Sequence, residues 1–107
     1  MVDCLFCRIA NGGSGLVWEN EYAAAFADIH PKAPVHLLVV SKRHVVSLEA
    51  LDDAELAGQL LMAAREVARV AGVSDAYRVM INNGRAAGQI IEHLHVHILA
   101  NKAGSSG

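Results

Sequence analysis

Histidine occupies every second position of His93-Leu94-His95-Val96-His97-Ile98-Leu99. Strand side chains alternate between the two faces of a sheet. Leu94, Val96 and Ile98 are therefore expected to enter a core. His93, His95 and His97 are expected to form a row of imidazoles on the opposite, solvent-open face. Histidine is the side chain that titrates nearest neutrality, so such a row suits chemistry on a charged ligand. Three of the six histidines fall within five residues, a concentration that a merely polar sheet face does not require. Regular alternation with apolar residues also separates the segment from a purification tag.

Two chemistries compete for these rings. At ~3.3 Å of rise per residue the Cα atoms of His93 and His97 lie about 13 Å apart, too far for three imidazoles on one strand to share an ion. Phosphate chemistry fits better. A neutral imidazole can attack phosphorus and form a phosphohistidine. Flanking rings can donate to the non-bridging oxygens as charge develops, and another group must protonate the leaving atom. Central His95 is the expected nucleophile, and His97 the expected donor to a phosphate oxygen. In the preceding segment Gly84-Arg85-Ala86-Ala87-Gly88-Gln89, Gly88 permits close backbone approach to a phosphate and Gln89 offers an amide. Taken alone, that segment reads as a turn.

The elements that must position these residues follow from pattern. With 107 residues, 53% of them hydrophobic and 19% charged, the chain is expected to be one globular domain over residues 1–100, with a flexible polar tail at 101–107. Leu5 to Ala10 reads as a short helix stopped by Asn11-Gly12-Gly13. Leu16–Glu19 and Tyr22–Ala27 read as a hairpin around Asn20-Glu21. Asp28-Ile29-His30-Pro31-Lys32-Ala33-Pro34 holds both prolines and reads as a rigid loop. The near-continuous apolar run Val35–Val40 implies a central strand. A long helix is expected from about Asp53 to Ala71, capped by Asp52 with Glu55 in capping-box spacing. Its apolar stripe is Leu56, Leu60, Leu61, Ala64, Val67 and Ala68, and Gly72 is its stop. Tyr77–Ile81, an Asn82-Asn83-Gly84 turn and the histidine strand complete an α+β domain. It comprises a single antiparallel sheet of about five strands, with one long and one short helix packed on one face.

Composition narrows the partners. A net charge of −2 gives no electrostatic footprint for long nucleic acid. No run approaches the ~20 apolar residues needed to span a bilayer. No basic, apolar leader stands at the N-terminus, so a cytoplasmic location is expected. In that reducing compartment Cys4 and Cys7 are not expected to form a structural disulfide. Cys4-x-x-Cys7 is instead half of a zinc site, or else two reduced thiols on a helix. A thioredoxin-type pair is disfavoured because no βαβ pattern follows.

His93 to Leu99 resembles the signature of the histidine triad (HIT) superfamily, His-φ-His-φ-His-φ-φ with φ apolar, at every position. The resemblance extends to Cys4-Leu5-Phe6-Cys7-Arg8-Ile9, to Phe26 through His36, to Asn82-Asn83-Gly84 and to Gly88-Gln89. It is nearest to the histidine triad nucleotide-binding branch, the adenosine phosphoramidases. That resemblance implies a HIT-like fold whose sheet joins a second copy's into ten strands in a homodimer. It implies His95 as the nucleophile that takes up AMP, His97 at the α-phosphate, His93 supporting His95, and His36 as a fourth histidine beside them. It implies Asp28 on the ribose hydroxyls, Leu5, Phe6, Ile9, Phe26 and Ile29 around the purine, and Asn82 on the phosphate side, with Gly88 and Gln89 beside it. Without it, His36 would read as a buried hydrogen-bonded histidine, Asp28 as a turn residue and the apolar set as core. Some bacterial members pair the two cysteines with histidines that correspond here to His44 and His93, which implies a structural zinc and no organic cofactor. Ile90 departs from the branch, where a serine usually helps the leaving group, and Glu92 stands where an aromatic is common.

The first expectation is thus an enzyme that attacks the α-phosphate of a purine nucleotide, with AMP–amine phosphoramidates as substrates and dinucleoside polyphosphates as the alternative. The rival expectation, motivated by Ile90, is a nucleotide-binding regulatory dimer with little turnover.

Overall fold

The computed structural model describes residues 4–101 of the chain. The expected polar tail, from residue 102 on, lies outside the described residues. The first helix, α1 (Leu5–Ala10), begins where the Cys4 side chain accepts from the Cys7 backbone N–H. Strands β1 (Leu16–Glu19) and β2 (Ala23–Ala27) form the expected hairpin. Its turn is tied by the Asn20 side chain, which accepts from the backbone N–H groups of Tyr22 and Ala23 at 2.8 and 2.9 Å. Strand β3 (Val35–Ser41) is central, and helix α2 (Ala54–Val70) returns the chain to the far edge. Strand β4 (Arg78–Met80) is that edge, and β5 (His95–Ala100) inserts between it and β3. The five strands run in the order β1-β2-β3-β5-β4, every pair antiparallel. A 3₁₀ turn at Arg85–Ala87 was not legible in the sequence.

Helix α2 starts one residue later than the capping-box spacing implies. Asp53, not Asp52, is its cap, accepting from the Leu56 N–H at 3.1 Å. Asp52 instead faces Arg43 at 3.7 Å, and Glu55 accepts from the Tyr22 hydroxyl at 3.4 Å. The expected stop holds: Gly72 has φ +76°, a left-handed conformation that costs glycine little.

The two helices were expected on one face and lie on opposite faces. On one side Leu56, Leu60 and Val67 of α2 pack on Val39, Val96 and Ile98. On the other, Phe6 and Ala10 of α1 pack on Ala24, Phe26, Leu38 and Val40. Both faces of β2 and β3 are therefore covered, which is why Ala23, Ala24, Ala25, Val39 and Val40 are all fully buried. Strand alternation assigns Leu94, Val96 and Ile98 to the α2 side, as expected, and leaves His95 and His97 on the α1 side. Among the described residues no helix is long and apolar enough to cross a membrane.

Candidate active site

Register places the histidines. His97 sits opposite Leu38 and Met80, His95 opposite Val40, and His36 opposite Leu99. His36 and His97 are thus diagonal neighbours on adjacent strands, close enough for their rings to meet. His36 Nε2 lies 2.9 Å from His97 Nδ1.

The partners of these nitrogens fix their protons. The backbone N–H of Lys32 donates to His36 Nδ1 at 3.0 Å, so a neutral His36 carries its hydrogen on Nε2. That hydrogen faces His97 Nδ1, with Asp28 Oδ2 at 3.4 Å from the same Nε2. His97 then accepts at Nδ1 and keeps its own hydrogen on Nε2. This Nε2 is buried and has no partner among the described residues. A buried donor without an acceptor is costly, and one in a cavity wall is a ready place for an anionic oxygen. Burial pushes the His97 pKa down to about 4, helped by neighbouring His95 and His36. Burial also lowers that of His36, against the pull of Asp28. Both rings are neutral near pH 7.

His95 is fixed differently. Its Nδ1–H donates to the backbone carbonyl of His93 at 2.7 Å, which leaves the Nε2 lone pair free. The Phe6 ring stands edge-on against His95, centroids 5.2 Å apart, and the His97 ring is 5.0 Å away. These groups open into a cavity of about 920 Å³, at the upper end of ligand pockets. Leu5, Phe6, Ile9, Phe26 and Ile29 line one part of it, with His36, His95, His97, Asp28, Asn82 and Gly88. Ile29 is 84% exposed at its mouth, an apolar side chain with nothing yet to cover it. Gly88 has φ +101°, and a Cβ there would come within 3.5 Å of the Asn82 amide.

Two expected site residues do not line the cavity. The Oε1 of Gln89 accepts from the Gly84 N–H, and its Nε2 donates to the carbonyls of Val46 and Ile91, so the amide is spent closing its own loop. His93 is not on the strand face at all. It precedes β5 in a bend, fully buried, with Nε2–H donating to the Ser41 carbonyl at 2.8 Å. The row of three solvent-open imidazoles is therefore a pair, and the third ring serves a second cluster.

That second cluster is Cys4, Cys7, His44 and His93. With Nε2 occupied by the carbonyl, His93 turns its Nδ1 lone pair toward Cys4 Sγ (3.2 Å), Cys7 Sγ (3.3 Å) and His44 Nδ1 (3.2 Å). His44 Nδ1 stands 3.1 Å from Cys7 Sγ. Four S/N donors converging at these spacings match a tetrahedral zinc site, and the Ser41 carbonyl supplies the outer hydrogen bond that orients such a ligand. Without a metal, burial and then Cys4 push the Cys7 thiol up to about 11. Asp28, His36 and His97 also lie within reach of one another, but they do not fit a metal. Coordination by His36 Nε2 would force a hydrogen onto Nδ1, against the Lys32 N–H.

The cavity also holds residues the sequence did not single out: Lys32, Tyr77, Arg78, Met80, Leu99 and Asn101. Leu99 was legible, since it shares the histidine face by alternation. Arg78 and Met80 required the strand order, which places β4 beside β5 through a crossover.

A cleft with a free imidazole nitrogen, a buried imidazole donor and an apolar flank is the arrangement expected of a histidine triad protein. The HIT domain family model matches residues 11–104. An uncharacterized HIT-like protein of Synechocystis sp. is 42% identical over 104 residues, covering 94% of this chain and 91% of that one. A HIT family hydrolase from Legionella pneumophila superposes with a TM-score of 0.86 at 36% identity, covering 94% of each chain. A histidine triad protein from Clostridium difficile gives 0.85 at 38% identity, covering 100% of this chain and 95% of the other. The chain belongs to the HIT family.

Proposed function

We propose that this protein hydrolyses, or transfers, the nucleotidyl group of a purine nucleotide through a covalent bond to His95. The observation that carries the reading is the hydrogen bond from His95 Nδ1 to the His93 carbonyl, which points the Nε2 lone pair at the cavity. In the first step His95 Nε2 bonds to the α-phosphorus and the bond to the leaving group breaks, the departing atom taking a proton from solvent. In the second, water attacks phosphorus and releases a proton to solvent, the P–N bond breaks and His95 recovers its lone pair. His97 Nε2–H donates to a non-bridging oxygen whose charge grows in both steps. Asp28 retains acceptor capacity for ribose hydroxyls beyond its contacts to the His30 N–H and His36. The apolar flank takes the purine, and Asn82 and Gly88 border the phosphate.

AMP–amine phosphoramidates are the proposed substrates, with AMP as product, and a dinucleoside polyphosphate is the alternative. Incubation with an adenosine phosphoramidate should give turnover and a nucleotidyl adduct on the intact protein by mass spectrometry. Both should vanish in His95→Ala; turnover that survives this change would refute the reading. A second reading, a regulatory nucleotide-binding protein with little turnover, is favoured by Ile90. This side chain lines the cavity 81% exposed and offers no proton. AMP binding by calorimetry without turnover would support it.

The same reading makes the protein a cytoplasmic homodimer, with neither long nucleic acid nor membrane as partner. Light scattering should return twice the 11.4 kDa of one chain. Zinc, held by Cys4, Cys7, His44 and His93, would supply a structural crosslink between α1 and the segment entering β5. No organic cofactor is part of the proposal.

A further inference from the structure

The cavity extends past the histidines on the side away from the apolar flank. Once a purine lies against Phe6 and Phe26, the β4 side is the space left for whatever departs from phosphorus. Register puts Arg78 there. Met80 faces His97, and Arg78, two residues along the same strand face, sits opposite Leu99. Arg78 and Leu99 both line the cavity, with Tyr77 and Asn101. Of the other cations, Lys42 meets Glu19 at 2.6 Å, Arg43 meets Asp53 at 3.2 Å and Arg69 meets Glu66 at 3.4 Å, while Arg65 and Arg85 stand outside the cavity wall. Arg78 has no ion-pair partner among the described residues, although the chain carries more acidic than basic residues, 11 against 9. The cavity's one carboxylate, Asp28, is engaged by His36 and the His30 N–H. Lys32, the other cation of the wall, lies near His36 and His97 and disfavours protonation of both. It therefore belongs with the phosphate, and Arg78 remains without an anion.

We propose that the β4 side of the cavity is a leaving-group subsite that selects a departing half bearing an anion, carboxylate or phosphate, and that Arg78 is its specificity residue. The inference rests on the nucleotidyl-transfer reading above. The guanidinium acts through charge and its forked donors, which suit either oxyanion.

A matched pair of substrates isolates the charge: the AMP phosphoramidates of glycine and of glycinamide, with diadenosine triphosphate as a phosphate-bearing third. The native protein should favour glycine over glycinamide in kcat/KM by about fivefold, the scale of one solvent-touched ion pair. Arg78→Gln should bring that ratio to about one, with the larger loss on the glycine substrate, and Arg78→Lys should keep most of it. If the glycine pair is flat but Arg78→Gln slows diadenosine triphosphate about fivefold, the anion is a phosphate. A flat native ratio together with an unaffected diadenosine triphosphate rate overturns the inference. So does a selectivity equal in Arg78→Gln and the native protein. Glycinamide turnover with a His95 adduct leaves the function standing in either case, whereas no turnover and no adduct with any substrate removes both.

Discussion

The neutral state of His97 has a measurable consequence for stability. Burial lowers its pKa to about 4 in the folded protein, whereas the unfolded chain has the ordinary value near 6.5. Above pH ~6.5 the ring is neutral in both states and contributes no pH dependence. As pH falls below that value the unfolded chain takes up a proton that the folded protein refuses, so stability declines until pH reaches about 4. Each pH unit in this window is worth about 1.36 kcal/mol. A fall from pH ~6.5 to ~5 therefore removes at most about 2 kcal/mol, and solvent at the outer edge of the ring trims this to about 1–2 kcal/mol. His97→Gln keeps a side-chain amide in the wall and removes the titration. Urea unfolding at about pH 7.5 and about pH 5, at one protein concentration, should show the variant losing about 1–2 kcal/mol less than the native protein between the two conditions. His93, also lowered by burial, titrates in both proteins and cancels in the comparison, whereas His36 touches His97 at 2.9 Å, so any change in its own titration is part of the measured difference. An equal loss in variant and native protein would mean that His97 takes up its proton in the fold as readily as in the unfolded chain, and its reading as a neutral ring that accepts from His36 at Nδ1 would fail with it.

Other expectations are simpler to test. Gly88→Ala forces a side chain onto φ +101° and should cost about 1–3 kcal/mol, read as a lower Tm; an unchanged Tm would show the loop relaxing freely. Ile90→Ser places a hydroxyl on the cavity wall and should raise kcat for amine leaving groups while Tm stays within a degree or two, since Ile90 is 81% exposed. No change in rate would remove the lost hydroxyl as the limit on turnover. Chelation should lower Tm only if the cluster of two cysteines and two histidines holds a metal. Elemental analysis should then find about one zinc per chain, and Cys7→Ser should sharply reduce it.

Much of this architecture was written locally. Alternation in Leu94-His95-Val96-His97-Ile98 separates the two faces of β5 because one face is fully buried, and a one-residue slip would invert every side chain. The all-apolar β3 run announces a strand covered on both sides. What local pattern could not carry was the tertiary choice at each end. Asp52 and Asp53 are both good caps and Arg43 approaches both, but only Asp53 is placed to accept from the Leu56 N–H. The face taken by α1 depends on Phe6 finding Phe26 and His95. Gln89 looked like a ligand for phosphate because its loop is glycine-rich. The same loop leaves the Gly84 N–H and the Ile91 carbonyl to be satisfied, the segment after β3 adds the Val46 carbonyl, and the amide goes to them. Arg78 was invisible because β4 reaches the site only through the crossover of α2.

His93 shows what separates the spacing of a motif from the role of its members. Read as a strand residue, its ring belongs beside His95 and His97, and its loss should slow chemistry as theirs would. The structure gives the ring a different task. Nδ1 meets the two thiols, Nε2 holds the Ser41 carbonyl, and only the backbone oxygen touches His95. His93→Gln removes the ring and keeps that oxygen. Its cost should therefore fall on metal content and Tm, with a loss of stability of about 1–3 kcal/mol as for other losses of a buried hydrogen-bonded group. Assayed well below its Tm, the folded variant should retain kcat within about threefold, a shift of ~0.7 kcal/mol. KM should rise more than kcat falls, because α1 carries Leu5, Phe6 and Ile9 and shares the anchoring cluster through Cys4 and Cys7. A variant with native Tm and native zinc whose kcat fell a thousandfold would put the ring back into the reaction and refute the division of labour between the two clusters.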